Sequence, residues 1–126
     1  MKKVMVFGTF DILHKGHLNL FQQAKQHGDY LITVVARDKT VEKVKGKAPK
    51  YNEKERLKNI KPYVDKAVLG YINNKYKIIE KYQPGMICLG YDQKFFLEGL
   101  KQFKIPIKKL KSYYPSKYKS SKLRKD

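Results

Sequence analysis

Two histidines, His14 and His17, stand three residues apart in the stretch GTFDILHKGH (8–17), with Gly16 between them. That spacing puts both imidazoles on one face of a helix, where they can aim at a common ligand. Gly16 removes a side chain from the place where a phosphate or base must come close. The stretch follows VMVFG (4–8), which reads as a buried strand, and the chain turns at Gly8, Thr9 and Phe10 before the helix begins. A helix start presents unpaired N–H groups backed by the macrodipole, and together these bind anions. Imidazoles at such a place can donate hydrogen bonds to oxygens that gain charge in a phosphoryl transition state. Zinc ligation is a second reading, but H-x-x-H lacks an obvious third ligand, and the only cysteine, Cys88, sits in the strand-like run MICLG. Core or capping histidines are a third. Against them stands the glycine-rich strand-to-helix turn, which makes poor core material.

These residues need elements to hold them. Short apolar runs alternate with longer amphipathic ones along the chain. After the first strand, HLNLFQQAKQHG (17–28) reads as a helix stopped at Gly28, and DYLITVVAR (29–37) as a second strand rich in β-branched residues. DKTVEKVKGKAPKYNEKE (38–55) is polar and lysine-rich, and Gly46 and Pro49 bar a continuous helix, so a mobile loop is expected there. A short helix (55–64), a third strand (65–70), a helix (74–83), a fourth strand (85–90), another helix (93–103) and an edge-like fifth strand (105–110) follow. Strands recurring with helices between them predict an α/β fold: a single doubly wound, Rossmann-like, five-stranded parallel sheet with helices on both faces. One domain over 1–126 is expected, with 111–126 as a basic tail. Ligands of such sheets bind beyond the carboxyl ends of the strands, which places 8–17, 36–47, 89–93 and 112–121 on one rim.

Bulk properties narrow the partners. The net charge is +18, from 29 basic and 11 acidic residues, so nucleotides, phosphometabolites, nucleic acid and anionic membrane surfaces are all attracted. Lysine outnumbers arginine 26 to 3, and a solvated lysine surface explains part of this excess. With 41% hydrophobic residues the chain can build a core. No apolar run approaches the ~20 residues of a membrane span, so no membrane partner is expected. The start reads as a strand rather than a signal peptide, and a lone cysteine fits a reducing cytoplasm.

GTFDILHKGH resembles the H-x-G-H signature of the nucleotidyltransferase superfamily related to cytidylyltransferases. VVARDKTVEKVKGKAP, NEKERLKNIKPYVDKAVLG and LGYDQ then resemble, in order, segments of archaeal-type FAD synthases, which join FMN to AMP. Glycerol-3-phosphate cytidylyltransferases share the H-x-G-H frame and are the second match. Ser120-Ser121-Lys122-Leu123 is similar to the start of the superfamily's last helix, without the arginine and glycine that often precede it.

The resemblance implies direct attack by an acceptor phosphate on the α-phosphorus of a nucleoside triphosphate, with release of pyrophosphate and no protein nucleophile. ATP with FMN is the favoured pair, and CTP with glycerol-3-phosphate the alternative. His14 and His17 would contact the α-phosphate and the leaving bridge oxygen, and Lys45 or Lys47 would reach over the triphosphate. Gly8, Thr9, Phe10 and Gly16 would line the phosphate, with Thr9 and Asp11 shaping the acceptor pocket. Arg56 would pair with phosphate or brace the site. Gly90, Tyr91, Asp92 and Gln93 would meet base or ribose, and Ser120, Ser121 and Lys122 the β- and γ-phosphates. Mg²⁺ would arrive as the triphosphate's counter-ion, with no protein metal cage. Blander readings stand beside several of these: Lys45 and Lys47 as solvated charges, Asp11 and Asp92 as caps, Tyr91 as packing, and the tail as a basic end. A homodimer is among the expected states, with Phe95 and Phe96 at an interface or in the core. The competing class is a nucleic-acid-binding protein, in which tyrosines interleaved with lysines, as in SYYPSKYKSSK, stack bases.

Overall fold

The computed structural model describes residues 2–71, 76–90 and 103–110. Strand β1 (Lys3–Gly8) has four successive buried residues, as a strand covered on both faces must. Strand β2 (Tyr30–Val35) is buried from its second residue onward. These two, with β3 (Lys66–Leu69), β4 (Met86–Leu89) and β5 (Ile107–Lys109), form one five-stranded parallel sheet in the order β3-β2-β1-β4-β5. The flanking strands are short and less apolar, and Lys108 and Lys109 of β5 are exposed, which suits an edge. Pro106 cannot donate, but its carbonyl accepts from Ile87 N–H at 2.9 Å, so the proline starts the edge strand without breaking it.

Alternation along the strands divides the core. Val4 and Val6 face the layer of α1 (Lys15–Lys25) and α3 (Glu53–Ile60), where Phe21, Ala24 and Ile60 are buried. Met5 and Phe7 face the opposite layer, built on Ile78 and Ile79 of α4 (Lys77–Tyr82). Helices therefore cover both faces of the sheet. From β1 the sheet grows outward through β2 to β3 on one side, and through β4 to β5 on the other. That reversal lies between β1 and β4, where doubly wound sheets open a crevice.

The region expected to be a mobile loop contains a helix. Residues Asp38–Lys45 form α2, with Asp38 in the first turn, Lys43 and Lys45 in the last, and Val41 buried beneath. Gly46 ends it in the left-handed conformation, φ 80°, and its N–H bonds the carbonyl of Glu42 at 2.9 Å. The glycine does break the helix, but eight residues precede it. The helix expected at 93–103 falls mostly on residues outside those described, as do Phe95, Phe96 and the tail.

Candidate active site

The carboxyl end of β1 runs into a loop that Phe10 folds inward. Phe10 has φ 53°, and its ring is buried in the core against Phe21, with centroids 5.3 Å apart. A Cβ on Gly8 would lie 2.6 Å from that ring, so Gly8 is glycine to admit Phe10. His14 then caps α1. Its Nδ1 accepts the Gly16 N–H at 3.0 Å, and its carbonyl accepts from His17 N–H at 3.0 Å. A lone pair committed at Nδ1 leaves the neutral ring's proton on Nε2, the nitrogen that does not serve the cap. His17 stacks on that ring, with centroids 3.9 Å apart and planes 24° off parallel, and presents its edge to Phe10. His17 Nδ1 is buried and has no hydrogen-bond partner among the described residues.

Burial lowers the pKa of both histidines. That of His17 is pushed down to about 3, by desolvation first and then by the nearby charges of His14 and Lys45. Two neutral, stacked imidazoles with an ammonium in electrostatic reach bring hydrogen-bond donors and positive charge to one place. The same depression has a cost in acid. The unfolded chain takes up the His17 proton near pH 6.5 and the folded one only near pH 3. The penalty is absent above pH 6.5 and grows by about 1.4 kcal/mol per pH unit as pH falls through that window. His17→Gln should therefore narrow the stability gap between pH 7 and pH 4.5 by roughly 2.5 kcal/mol, measured by urea denaturation at both pH values. An unchanged gap would show that the folded histidine titrates normally.

Of the other anticipated residues, Lys45 closes α2 within electrostatic reach of His17, while Lys47 is exposed one residue past Gly46. Gly90 is buried at the carboxyl end of β4, beside the switch point. Thr9 gives its carbonyl to Arg56 Nη1 at 2.9 Å. Asp11 is 2% exposed, and its carboxylate accepts the Lys50 and Tyr51 N–H groups, both at 2.8 Å. Arg56 is 0% exposed. Its guanidinium bonds the carbonyls of Tyr51, Thr9 and Ala36 and pairs with Asp38 at 2.6 Å. Asp11 and Arg56 thus brace the rim from within. Tyr91, Asp92, Gln93, Ser120, Ser121 and Lys122 lie outside the described residues.

Three bracing residues escaped the sequence reading. Arg37 bonds the Gly70 carbonyl at 2.8 Å and pairs with Glu53 at 2.9 Å, and Glu53 also takes the Asp38 N–H. Asp38 itself pairs with Arg56. The available signal was scarcity: with only 11 acidic residues, those next to strand and helix ends are the ones to examine. The Cys88 thiol is buried in β4 and pushed up to about 11, chiefly by desolvation, which removes it as a nucleophile. Among the described residues no group of three or more His, Cys, Asp or Glu is placed to hold a metal ion, and no helix is long and apolar enough to cross a membrane.

The strand order defines a doubly wound α/β protein whose switch point, the place where such folds bind ligands, lies between β1 and β4. The chain belongs to the Cytidylyltransferase-like family, whose model matches residues 5–125. It is 43% identical over 122 residues to the FAD synthase of Aciduliprofundum boonei, covering 90% of this chain and 80% of that one. The FAD synthase of Ferroglobus placidus is 46% identical over 103 residues, or 81% of this chain and 67% of its own. That of Thermoplasma acidophilum is 45% identical over 105 residues, or 81% and 72%. Among solved structures, the Thermoplasma volcanium protein described as a lipopolysaccharide core biosynthesis protein superposes with a TM-score of 0.83 at 38% identity, over 90% of this chain and 98% of that one. A protein of unknown function from Archaeoglobus fulgidus, 22% identical with a TM-score of 0.67 over 88% and 90%, shares the fold. The chain is an enzyme of the nucleotidyltransferase class.

Proposed function

We propose that this enzyme transfers AMP from ATP to the phosphate of FMN, forming FAD and pyrophosphate. The observation that carries the reading is the neutral His14–His17 stack at the start of α1, with Lys45 in reach, beside the switch point of the sheet. The choice of ATP and FMN over CTP and a smaller phosphate is supported by the FAD synthases at 43–46% identity.

An FMN phosphate oxygen attacks the α-phosphorus in line. One P–O bond forms and the bond to the bridging oxygen breaks, so pyrophosphate leaves with the electron pair. The chain supplies position and charge rather than a nucleophile. His14 Nε2–H and His17 donate to the α-phosphate and to the bridging oxygen as its charge grows. The approaching polyphosphate also raises the pKa values that burial had lowered, so the imidazoles gain proton affinity when the leaving oxygen needs it. Lys45 neutralises the triphosphate from the end of α2, and Lys47 joins it from beyond Gly46. Gly90 to Gln93 provide the base and ribose contacts, and Ser120 to Lys122 hold the outer phosphates. Around the histidines the donors are nitrogens, and the carboxylates of Asp38 and Glu53 are paired with arginines. Such a set does not suit a hard cation, so Mg²⁺ belongs to the triphosphate, held by its oxygens and water.

The test incubates the protein with Mg²⁺ and each pairing of ATP or CTP with FMN or glycerol-3-phosphate, then measures pyrophosphate and separates FAD. Pyrophosphate and FAD only with ATP and FMN are expected. Release with CTP and glycerol-3-phosphate would move the assignment to cytidylyl transfer. No release with any pair, alongside salt-sensitive RNA binding, would overturn the enzymatic reading.

A further inference from the structure

Asp11 stands three residues before His14, yet its carboxylate is directed at a distant segment. Its two oxygens each accept one N–H, from Lys50 and from Tyr51, 39 and 40 residues along the chain. Tyr51 is held from its other side as well, because its carbonyl accepts from Arg56 Nε at 2.9 Å. Arg56 also bonds the Thr9 carbonyl, two residues before Asp11. The histidine loop and the end of the lysine segment are thus joined through two side chains, without backbone pairing.

What lies between the anchors gives the join its meaning. The lysine segment is fixed at its start by Asp38, whose N–H bonds Glu53 and whose carboxylate pairs with Arg56. It is fixed at its end by Asp11. Lys45 and Lys47 fall between the two fixed points, on either side of Gly46. Gly46 adopts a positive φ, and a Cβ there would meet nothing within 4 Å, so the cap bond to Glu42 ties it to α2 but no packing holds it from the side. Val41 is the only buried residue of α2. Local packing alone is too thin to hold the lysines over the histidines.

We propose that Asp11 is a positioning residue for the triphosphate: it sets the return point of the lysine segment, so that Lys45 and Lys47 stand over His14 and His17 before ligand arrives. The inference rests on the nucleotidyl-transfer reading for its ligand and assigns Asp11 a role on the nucleotide side of the site. Asp11→Asn keeps the volume but turns one acceptor into a donor facing a backbone N–H.

Hydrogen exchange, ATP titration and steady-state kinetics test it together. In the unchanged protein, the Lys50 and Tyr51 amides should be protected as strongly as those of α3, although they belong to no helix or strand. In Asp11→Asn those two amides should exchange at least tenfold faster while the β1 and β2 amides keep their rates, and ATP should bind about ten- to a hundredfold more weakly. The KM for the acceptor should stay within about twofold, since positioning of the lysines leaves the acceptor pocket intact. Fast exchange of Lys50 and Tyr51 in the unchanged protein would overturn the inference without any variant. So would a rise in acceptor KM with ATP affinity unmoved, or uniformly faster exchange, which marks general destabilisation. Absence of turnover in the unchanged protein counts against the proposed reaction instead, and leaves the exchange and ATP-binding results to decide on Asp11.

Discussion

His17→Ala should lower kcat by about 10²–10³-fold with little change in the KM for ATP, because the lost donor acts on charge that develops in the transition state. The fold should survive. The histidine sits near the start of α1, contributes a ring edge to Phe10, and carries a buried nitrogen with no hydrogen-bond partner among the described residues. Removing such a nitrogen costs little, so a melting curve at pH 7 close to that of the unchanged protein should accompany the lost turnover. His14 must be treated differently. It also caps α1 through Nδ1, and alanine there would remove a helix cap worth about 1 kcal/mol together with the chemistry. His14→Asn keeps a capping oxygen and loses the imidazole, so it separates the two roles. Stopped or coupled pyrophosphate assays on both variants check the expectation. Unreduced turnover by His17→Ala would remove that residue from the reacting oxygens.

The histidine site was legible because its elements are local. A strand, a tight turn and a helix start lie within fifteen residues, and apolar periodicity marks the strand on one side and the helix on the other. The helix begins at Lys15, at the histidines, with His14 as its cap, and the periodic run that marks its body follows from His17. Gly28 was read as the stop. Its role is spatial: a Cβ there would lie 2.5 Å from Val4 and 2.8 Å from the Lys2 carbonyl oxygen. The lysine region reads as a loop because six of the eight residues of α2 are polar and only one of its two valines, Val41, is buried. Periodicity needs several apolar repeats to register, and α2 offers a single pair. A bracing role is among those expected of Arg56, but the partners that it and Asp11 find are beyond reach for another reason. The bonds that close on the histidine loop join residues 39 to 47 apart, and no local pattern encodes which distant carbonyl a guanidinium will find. One clue was present in α3: Arg56 lies four residues before the buried Ile60, on the helix face turned toward the sheet.

Arg56→Leu should destabilise the protein by roughly 3–5 kcal/mol, a loss on the scale of removing one partner from a buried ion pair. The side chain is fully buried and joins four elements of the rim: the loop after β1 through Thr9, the end of β2 through Ala36, the start of α2 through Asp38, and the approach to α3 through Tyr51. Leucine fills part of the volume but leaves three carbonyls and a carboxylate facing an apolar group. Arg56→Lys should recover little, because one ammonium cannot reach acceptors spread around a planar fork. For a chain of 126 residues this corresponds to a fall in Tm of roughly 10–20 °C, measurable by calorimetry. The double variant Asp38→Asn with Arg56→Leu should be less destabilised than the sum of the two single changes, since removing both charges avoids stranding either. A Tm within about two degrees of the unchanged protein would show that the guanidinium is dispensable to the fold. The residue would then be available for the phosphate contact that its place near the lysine segment first suggested.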